Sequence, residues 1–193
     1  SFYSKATTDI EYLFAHGWGE LWGIADRTDY DLSVHMKHSK TDLRYLDPED
    51  NNKYIPYVIE PSVGLDRLLL AILTDALCYE KLDSGESREV LKIHPFLAPV
   101  KVAVLPLVKK FHSEKAMDLY AQLAKEFNVN FDESGSIGKR YRRNDAIGTP
   151  FCITVDDDTL NFNTVTIRHR DSMEQEKINI KDLNTFITNH LKF

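Results

Sequence analysis

The sequence predicts an α/β (α+β) fold in two domains, residues 1–93 and 94–193. Three observations predict it. Residues 100–132 run strand, helix, strand, the order of a parallel pair joined by a right-handed crossover. Residues 7–26 hold two apolar and aromatic segments around Gly17-Trp18-Gly19, the pattern of an antiparallel hairpin. Between these regions, residues 91–99 carry two prolines that block a helix and favour an extended connector, which sets the boundary.

In chain order, the hairpin places Glu11 and Glu20 on strands, where acids usually face water. Residues 29–40 suit a short helix, with Asp29 or Asp31 as its cap and basic residues at its C-terminal end. His35 and His38 share a face of it, but a pair without a third ligand reads as surface. Residues 41–53 are a polar loop. Residues 54–60 form a strand, followed by a polar turn holding Glu60, Pro61, Ser62, Gly64, Asp66 and Arg67. Residues 66–82 form a helix apolar on most sides, expected to be buried. The sheet that should cover it is mostly absent from the chain. Residues 83–89 are a polar surface excursion.

The second half is more regular. Residues 100–105 form a continuous apolar strand ended by Pro106. Residues 113–127 form an amphipathic helix with Ser113 as cap and Ala116, Leu119, Tyr120, Leu123, Ala124 and Phe127 at three and four spacing. Residues 130–132 lead a second strand. Strands at 151–155 and 163–170 pair through 156–162, a short strand follows at 177–180, and 182–191 close as a helix.

A net charge of −6 argues against a chain coated for nucleic acid but leaves room for a local basic patch. Cys78 and Cys152 lie in no metal-ligand spacing and read as reduced thiols of a cytoplasmic protein. No apolar run reaches the length of a membrane span and no signal peptide is visible, so no membrane partner is expected. The chain opens without a Met, as a fragment or a processed product does.

Two constellations carry chemistry. At 60–67 a carboxylate, a hydroxyl, a glycine and an arginine meet where a strand hands over to a helix, a place that presents backbone N–H groups to a ligand. Arg67 suits a phosphate, a carboxylate or a flat ring, and Glu60 an ammonium group or a metal ion. A capped turn with an internal Glu60–Arg67 ion pair accounts for the same residues equally well. At 139–143, Lys139, Arg140, Arg142 and Arg143 surround Tyr141, a set that contacts phosphates and stacks on bases, or forms a solvated basic helix face. Arg168, His169 and Arg170 make a second basic spot. There is no Gly-x-Ser-x-Gly, no phosphate loop with Gly-Lys-Ser/Thr and no His-Glu-x-x-His, so nothing supports a nucleophilic enzyme.

Glu-Pro-Ser-Val-Gly-Leu-Asp-Arg at 60–67 resembles motif 3 of the class II aminoacyl-tRNA synthetases in its glycyl form. Residues 17–32, Gly-Trp-Gly-Glu-Leu-Trp-Gly-Ile-Ala-Asp-Arg-Thr-Asp-Tyr-Asp-Leu, are similar to the segment upstream of it. Residues 135–152, Gly-Ser-Ile-Gly-Lys-Arg-Tyr-Arg-Arg-Asn-Asp-Ala-Ile-Gly-Thr-Pro-Phe-Cys, resemble the family's anticodon-binding signature. The resemblance is to the homodimeric glycyl-tRNA synthetases and covers nearly the whole chain. It implies the end of an antiparallel-sheet catalytic domain at 1–93 and an anticodon-binding domain with a mixed sheet at 94–193.

The same resemblance implies glycine–tRNA ligase activity: ATP-dependent attachment of glycine to tRNA(Gly) through a glycyl-adenylate, with ATP and Mg2+ required. Arg67 and Glu20 would be catalytic. Glu20, Leu21, Gly64, Leu65, Asp66 and Arg67 would line the ATP site, with Glu20 also contacting the metal. Glu60, Pro61, Ser62, Val63, Gly64 and Arg27 would read glycine, Glu60 through its ammonium and Arg27 through its carboxylate. Lys139, Arg140, Tyr141, Arg142, Arg143 and Arg168 would bind tRNA. The family's motif 1, at its dimer interface, and motif 2, with a further ATP-binding arginine, are not found. The chain therefore reads as a C-terminal portion, inactive alone. The alternative is a non-catalytic nucleic-acid-binding accessory protein derived from such a synthetase; loss of Glu20, Glu60, Ser62 or Arg67 would mark one, and all four are present.

Overall fold

The computed structural model describes residues 4–82 and 84–192. The chain divides into two compact units, Ser1–Thr74 and Asp75–Phe193. The division falls before, not after, residues 75–93. The reason is a hairpin, β6 (Leu77–Lys81) and β7 (Ser87–Leu91), that belongs with the second unit. Its Arg88 is buried there against Asp145 at 3.2 Å and the Arg170 carbonyl at 2.7 Å.

In the first unit, β1 (Ala6–Phe14) and β2 (Gly17–Asp26) form the expected hairpin. Its two-residue tip is Ala15-His16, and Gly17 supplies the positive φ of 111° that a tight turn of this kind needs. β5 (Ile59–Val63) adds antiparallel to β2, giving the order β1-β2-β5. Glu60, Pro61 and Ser62 are thus strand residues, not turn residues. Pro61 is tolerated because β5 is an edge strand. The turn shrinks to Gly64, whose carbonyl accepts from Leu68 N at 2.9 Å. α1 (Tyr30–Ser39) forms as expected, but Asp29 at its N-cap makes no side-chain cap bond, and Asp31 is held by Arg27 instead. β3 (Tyr45–Leu46) and β4 (Lys53–Tyr54) are a short ribbon in the polar loop.

α2 (Leu65–Ala76) stops short of residue 82, because Leu77–Lys81 alternates in exposure and pairs as a strand. Burial was expected for this helix. It is largely open: Leu65, Leu69, Leu70 and Leu73 are all exposed, and only Ala71 and Ala76 are buried. Asp83, within the excursion read at 83–89, lies outside the described residues; Ser87–Leu91 of that region is strand.

The second unit is built on a five-stranded sheet of order β12-β11-β10-β8-β9. β8 (Val102–Pro106) pairs parallel with β9 (Val129–Phe131) on one side and with β10 (Phe151–Val155) on the other. β11 (Thr164–His169) and β12 (Gln175–Asn179) continue antiparallel. Every residue of β8 and β10 is buried, as expected for central strands covered on both faces. Alternation sorts their side chains. Val102, Val104, Ile153 and Val155 pack with Ala116, Leu119 and Leu123 of α3 (Lys109–Leu123) and Leu183 and Ile187 of α6 (Leu183–His190). Ala103, Leu105 and Cys152 meet Ile137 and Tyr141 of α4 (Ile137–Ala146) on the opposite face. Each large apolar side chain buried in this way contributes about 1.5–3 kcal/mol.

α3 begins earlier than its periodicity indicated. Ser113 lies inside it and donates to Glu133 at 2.8 Å, so it is not the cap. Val108 N is held instead by His112 Nδ1 at 3.0 Å. α5 (Asp157–Phe162) occupies the connector at 156–162, capped by Asp156, which accepts from Thr159 N. Among the described residues no helix is long and apolar enough to cross a membrane.

Candidate active site and nucleic-acid interface

The first site forms where β5 runs into α2. Ser62 and Glu60 share one face of β5, opposite Gly23 and Ala25 of β2. Pairing of Ile10 with Trp22 and of Glu11 with Glu20 leaves Leu21 as an extra residue, a β-bulge. The bulge carries the Glu20 carboxylate to Gly23, where its Oε1 lies 3.2 Å from the point a Cβ would occupy. Arg67, in the first turn of α2, donates from Nη1 to the Glu20 carbonyl at 2.7 Å. Glu20, Leu21, Ser62, Gly64, Leu65, Asp66 and Arg67 line one cavity of about 430 Å³. All six residues expected at ATP are therefore together, with Ser62 of the glycine set beside them.

The rest of the glycine set is placed differently. Glu60 Oε2 accepts from Arg27 Nη1 at 2.8 Å, and Arg27 grips Asp31 through Nε at 2.5 Å and Nη2 at 2.8 Å. The Asp31 bond, with help from Glu60, raises the basicity of Arg27, and Arg27 holds the Asp31 carboxyl below the ordinary range. The Glu60–Arg67 pair is not formed. Arg27, expected at a substrate carboxylate, is instead committed to two carboxylates of its own unit and positions Glu60. Pro61 and Val63 alternate to the other strand face, opposite Ile24 and Trp22. Among the described residues no group of three or more His, Cys, Asp and Glu could hold a metal ion.

The second site is α4. Lys139, Arg142 and Arg143 lie at i, i+3 and i+4 and share a helix face. With Glu86, Ser136 and Gly138 they line a cavity of about 530 Å³. Arg142 donates to the Ser87 carbonyl at 3.0 Å and to Glu86. Arg143 donates to Asp132 from Nε at 3.0 Å and to the Ser134 carbonyl at 2.6 Å. The other three residues expected at tRNA point inward. Arg140 is buried, donating to the Pro106 carbonyl at 2.5 Å. Tyr141 bonds Thr154 at 2.7 Å, and burial raises its phenol above the ordinary value. Arg168 is buried, makes two bonds to Asp145 at 2.8 and 3.0 Å, and lies over the Tyr141 ring. Arg140 and Arg168 are corrected to internal roles, because both guanidiniums are buried, at 4% and 6% exposure, and a buried guanidinium does not reach a phosphate.

Sequence reasoning missed Asp145, Arg88 and Glu86. Asp145 was one acid at the end of a basic run, and that isolation was the available signal. Arg88 and Glu86 were read as a solvated loop.

Residues 101–190 match the anticodon binding domain family. Along all 193 residues the chain is 63% identical to a glycine–tRNA ligase of Clostridium tetani and 62% identical to one of Clostridium beijerinckii, covering 42% of each. The chain thus spans less than half the length of the curated relatives it matches. Among solved structures, the RNA binding domain of threonyl-tRNA synthetase from Cryptosporidium parvum shares the fold, with a TM-score of 0.66 at 20% identity over 95% of this chain and 42% of that one. Along its whole length the chain is thus similar to a portion of the glycine–tRNA ligases, and its second unit carries an anticodon binding domain.

Proposed function

We propose that this chain is the C-terminal portion of a cytoplasmic, homodimeric ligase that attaches glycine to tRNA(Gly) using ATP and Mg2+. The observation that carries the proposal is the convergence of Glu20, Leu21, Ser62, Gly64, Leu65, Asp66 and Arg67 on one cavity. Arg67 makes one bond, to the Glu20 carbonyl, which leaves guanidinium donors for phosphate oxygens or a face for a base. The Glu20 carboxylate suits a Mg2+ that takes its remaining ligands from phosphates and water. Glu60, held by Arg27 through Oε2 and half exposed, keeps Oε1 for the ammonium of glycine. Catalysis on this reading is positioning and electrostatic stabilisation as the glycine carboxylate attacks the α-phosphate and pyrophosphate leaves.

Binding of tRNA falls to the α4 face. In a filter-binding assay with a tRNA(Gly) transcript, reversing Arg142 and Arg143 to Glu should weaken binding by at least about tenfold, since two phosphate contacts turn repulsive. Unchanged affinity would count against this face. The 193-residue chain alone should form no glycyl-tRNA, because the 430 Å³ cavity offers a single arginine for the phosphates. Robust charging by it would contradict the proposal.

A further inference from the structure

The geometry points to Glu86 as an electrostatic gate on the α4 face, a carboxylate that occupies Arg142 until a nucleic-acid phosphate displaces it. This rests on the reading of α4 as the tRNA-binding face and adds a specificity-determining residue to it.

The three cations of that face are not equivalent. Among the described residues no acid lies within ion-pair distance of Lys139. Arg143 is held by Asp132, which is mostly buried and also accepts from Ser134 N at 2.9 Å, so this carboxylate is part of the turn before α4. Glu86 is different. Its side chain is 65% exposed, and among the described residues its carboxylate makes no hydrogen bond other than that to Arg142. Arg142 does not depend on Glu86 for its place, because the Ser87 carbonyl also holds its Nη1 at 3.0 Å. An exposed pair of this kind is weak and screened by salt, so a phosphate can replace the carboxylate. The guanidinium then exchanges one anion for another with little movement.

A gate of this kind lowers affinity for every anion. A single phosphate against Arg142 gains little over Glu86. A ligand that also engages Lys139 and Arg143 gains enough to open it. The face is thereby biased against single or poorly spaced phosphates and toward a backbone that spans all three cations.

The test is a set of binding titrations at several salt concentrations, using the 193-residue chain and a tRNA(Gly) transcript, with a short single-stranded RNA as second probe. Glu86→Gln should bind the transcript about three- to fivefold tighter than wild type at low salt, the range one exposed ion pair spans. Its salt slope should steepen by up to about one counterion. The gain should be at least as large for the short RNA. It should vanish when Arg142→Gln is added, and Glu89→Gln, which removes an exposed acid nearby on β7, should leave binding unchanged. Equal binding by wild type and Glu86→Gln, while Arg142→Gln alone weakens it, would overturn the gate and leave the tRNA face standing. A gain that survives Arg142→Gln, or is matched by Glu89→Gln, would also overturn it, as a general charge effect. No RNA binding by any variant would overturn the tRNA face and the gate together.

Discussion

Asp145 shows what one buried carboxylate does in this chain. It is fully buried and accepts from Arg168 twice and from Arg88 once, so two buried cations depend on it. Burial opposes the Arg88 charge, and Glu80 and Asp145 more than offset this, raising its basicity. Asp145→Asn leaves charge uncompensated and should cost about 3–5 kcal/mol in urea unfolding; a loss under about 1 kcal/mol would contradict the network. Asp31 gives a pH signature. Its folded value lies below the unfolded one of about 3.9. Its stabilisation is therefore complete above that pH and is lost as pH falls through the lower folded value. Melting temperature should hold between about pH 5 and 8 for this group and fall below about pH 4, and Asp31→Asn should remove part of that fall; an identical acid limb in the variant would contradict the pairing. Burial pushes the Cys152 thiol up to about 12. In a Cys78→Ser background, Cys152 should resist a thiol reagent at pH 8 until the protein unfolds, and rapid native labelling would contradict its burial. Residue type and neighbourhood singled out Arg67 and Gly64 as a candidate site, whereas Glu20 read as a strand acid facing water and joined them only through the family resemblance. Arg27 and Asp31 were not legible, because a cap and a free arginine look the same in sequence as a closed ion pair.

At the scale of elements, strong periodicity was readable and edges were not. The alternating and continuous apolar runs of β8, β10 and β11 and the helical spacing of α3 and α6 follow from burial of one face or two. The start of α3 did not, since His112 replaces a capping side chain at its N-terminus. α5 was missed although Asp156-x-x-Thr159 is a capping signal, because six residues between two strands read as a loop. β5 hid behind Pro61 and Ser62, turn residues that an edge strand accommodates. The bulge at Leu21 could not be read, because register depends on the partner strand. Gly148 after α4 was legible only as a glycine. Its φ is +81°, and a Cβ there would lie 2.9 Å from Ile93 Cγ2 and 3.2 Å from the Leu91 carbonyl. Gly148→Ala should destabilise by more than about 1 kcal/mol, measured by thermal melting; a neutral effect would mean that the turn relaxes freely.

At the scale of the whole molecule, the two units carry different halves of one proposed reaction. The first holds the cavity proposed for ATP and glycine beside an α2 whose Leu65, Leu69 and Leu70 are exposed, in a chain spanning 42% of the relatives it matches. The second is an anticodon binding domain whose basic helix turns Arg140 and Tyr141 inward. The prolines at 91–99 suggested a boundary after the hairpin at 77–91, whereas the compact units divide at Thr74, ahead of that hairpin. Its tie to Asp145 is a contact between distant residues, which periodicity does not report. The central claim is that these residues complete a glycine–tRNA ligase. The most direct measurement is glycylation of tRNA(Gly) by the Clostridium tetani ligase in which this chain replaces the 42% it matches. The chimera should charge tRNA(Gly) with glycine in the presence of ATP and Mg2+, and Arg67→Ala in it should lower kcat/KM by at least about a hundredfold. A folded chimera that charges no glycine, or one indifferent to Arg67→Ala, would contradict the claim.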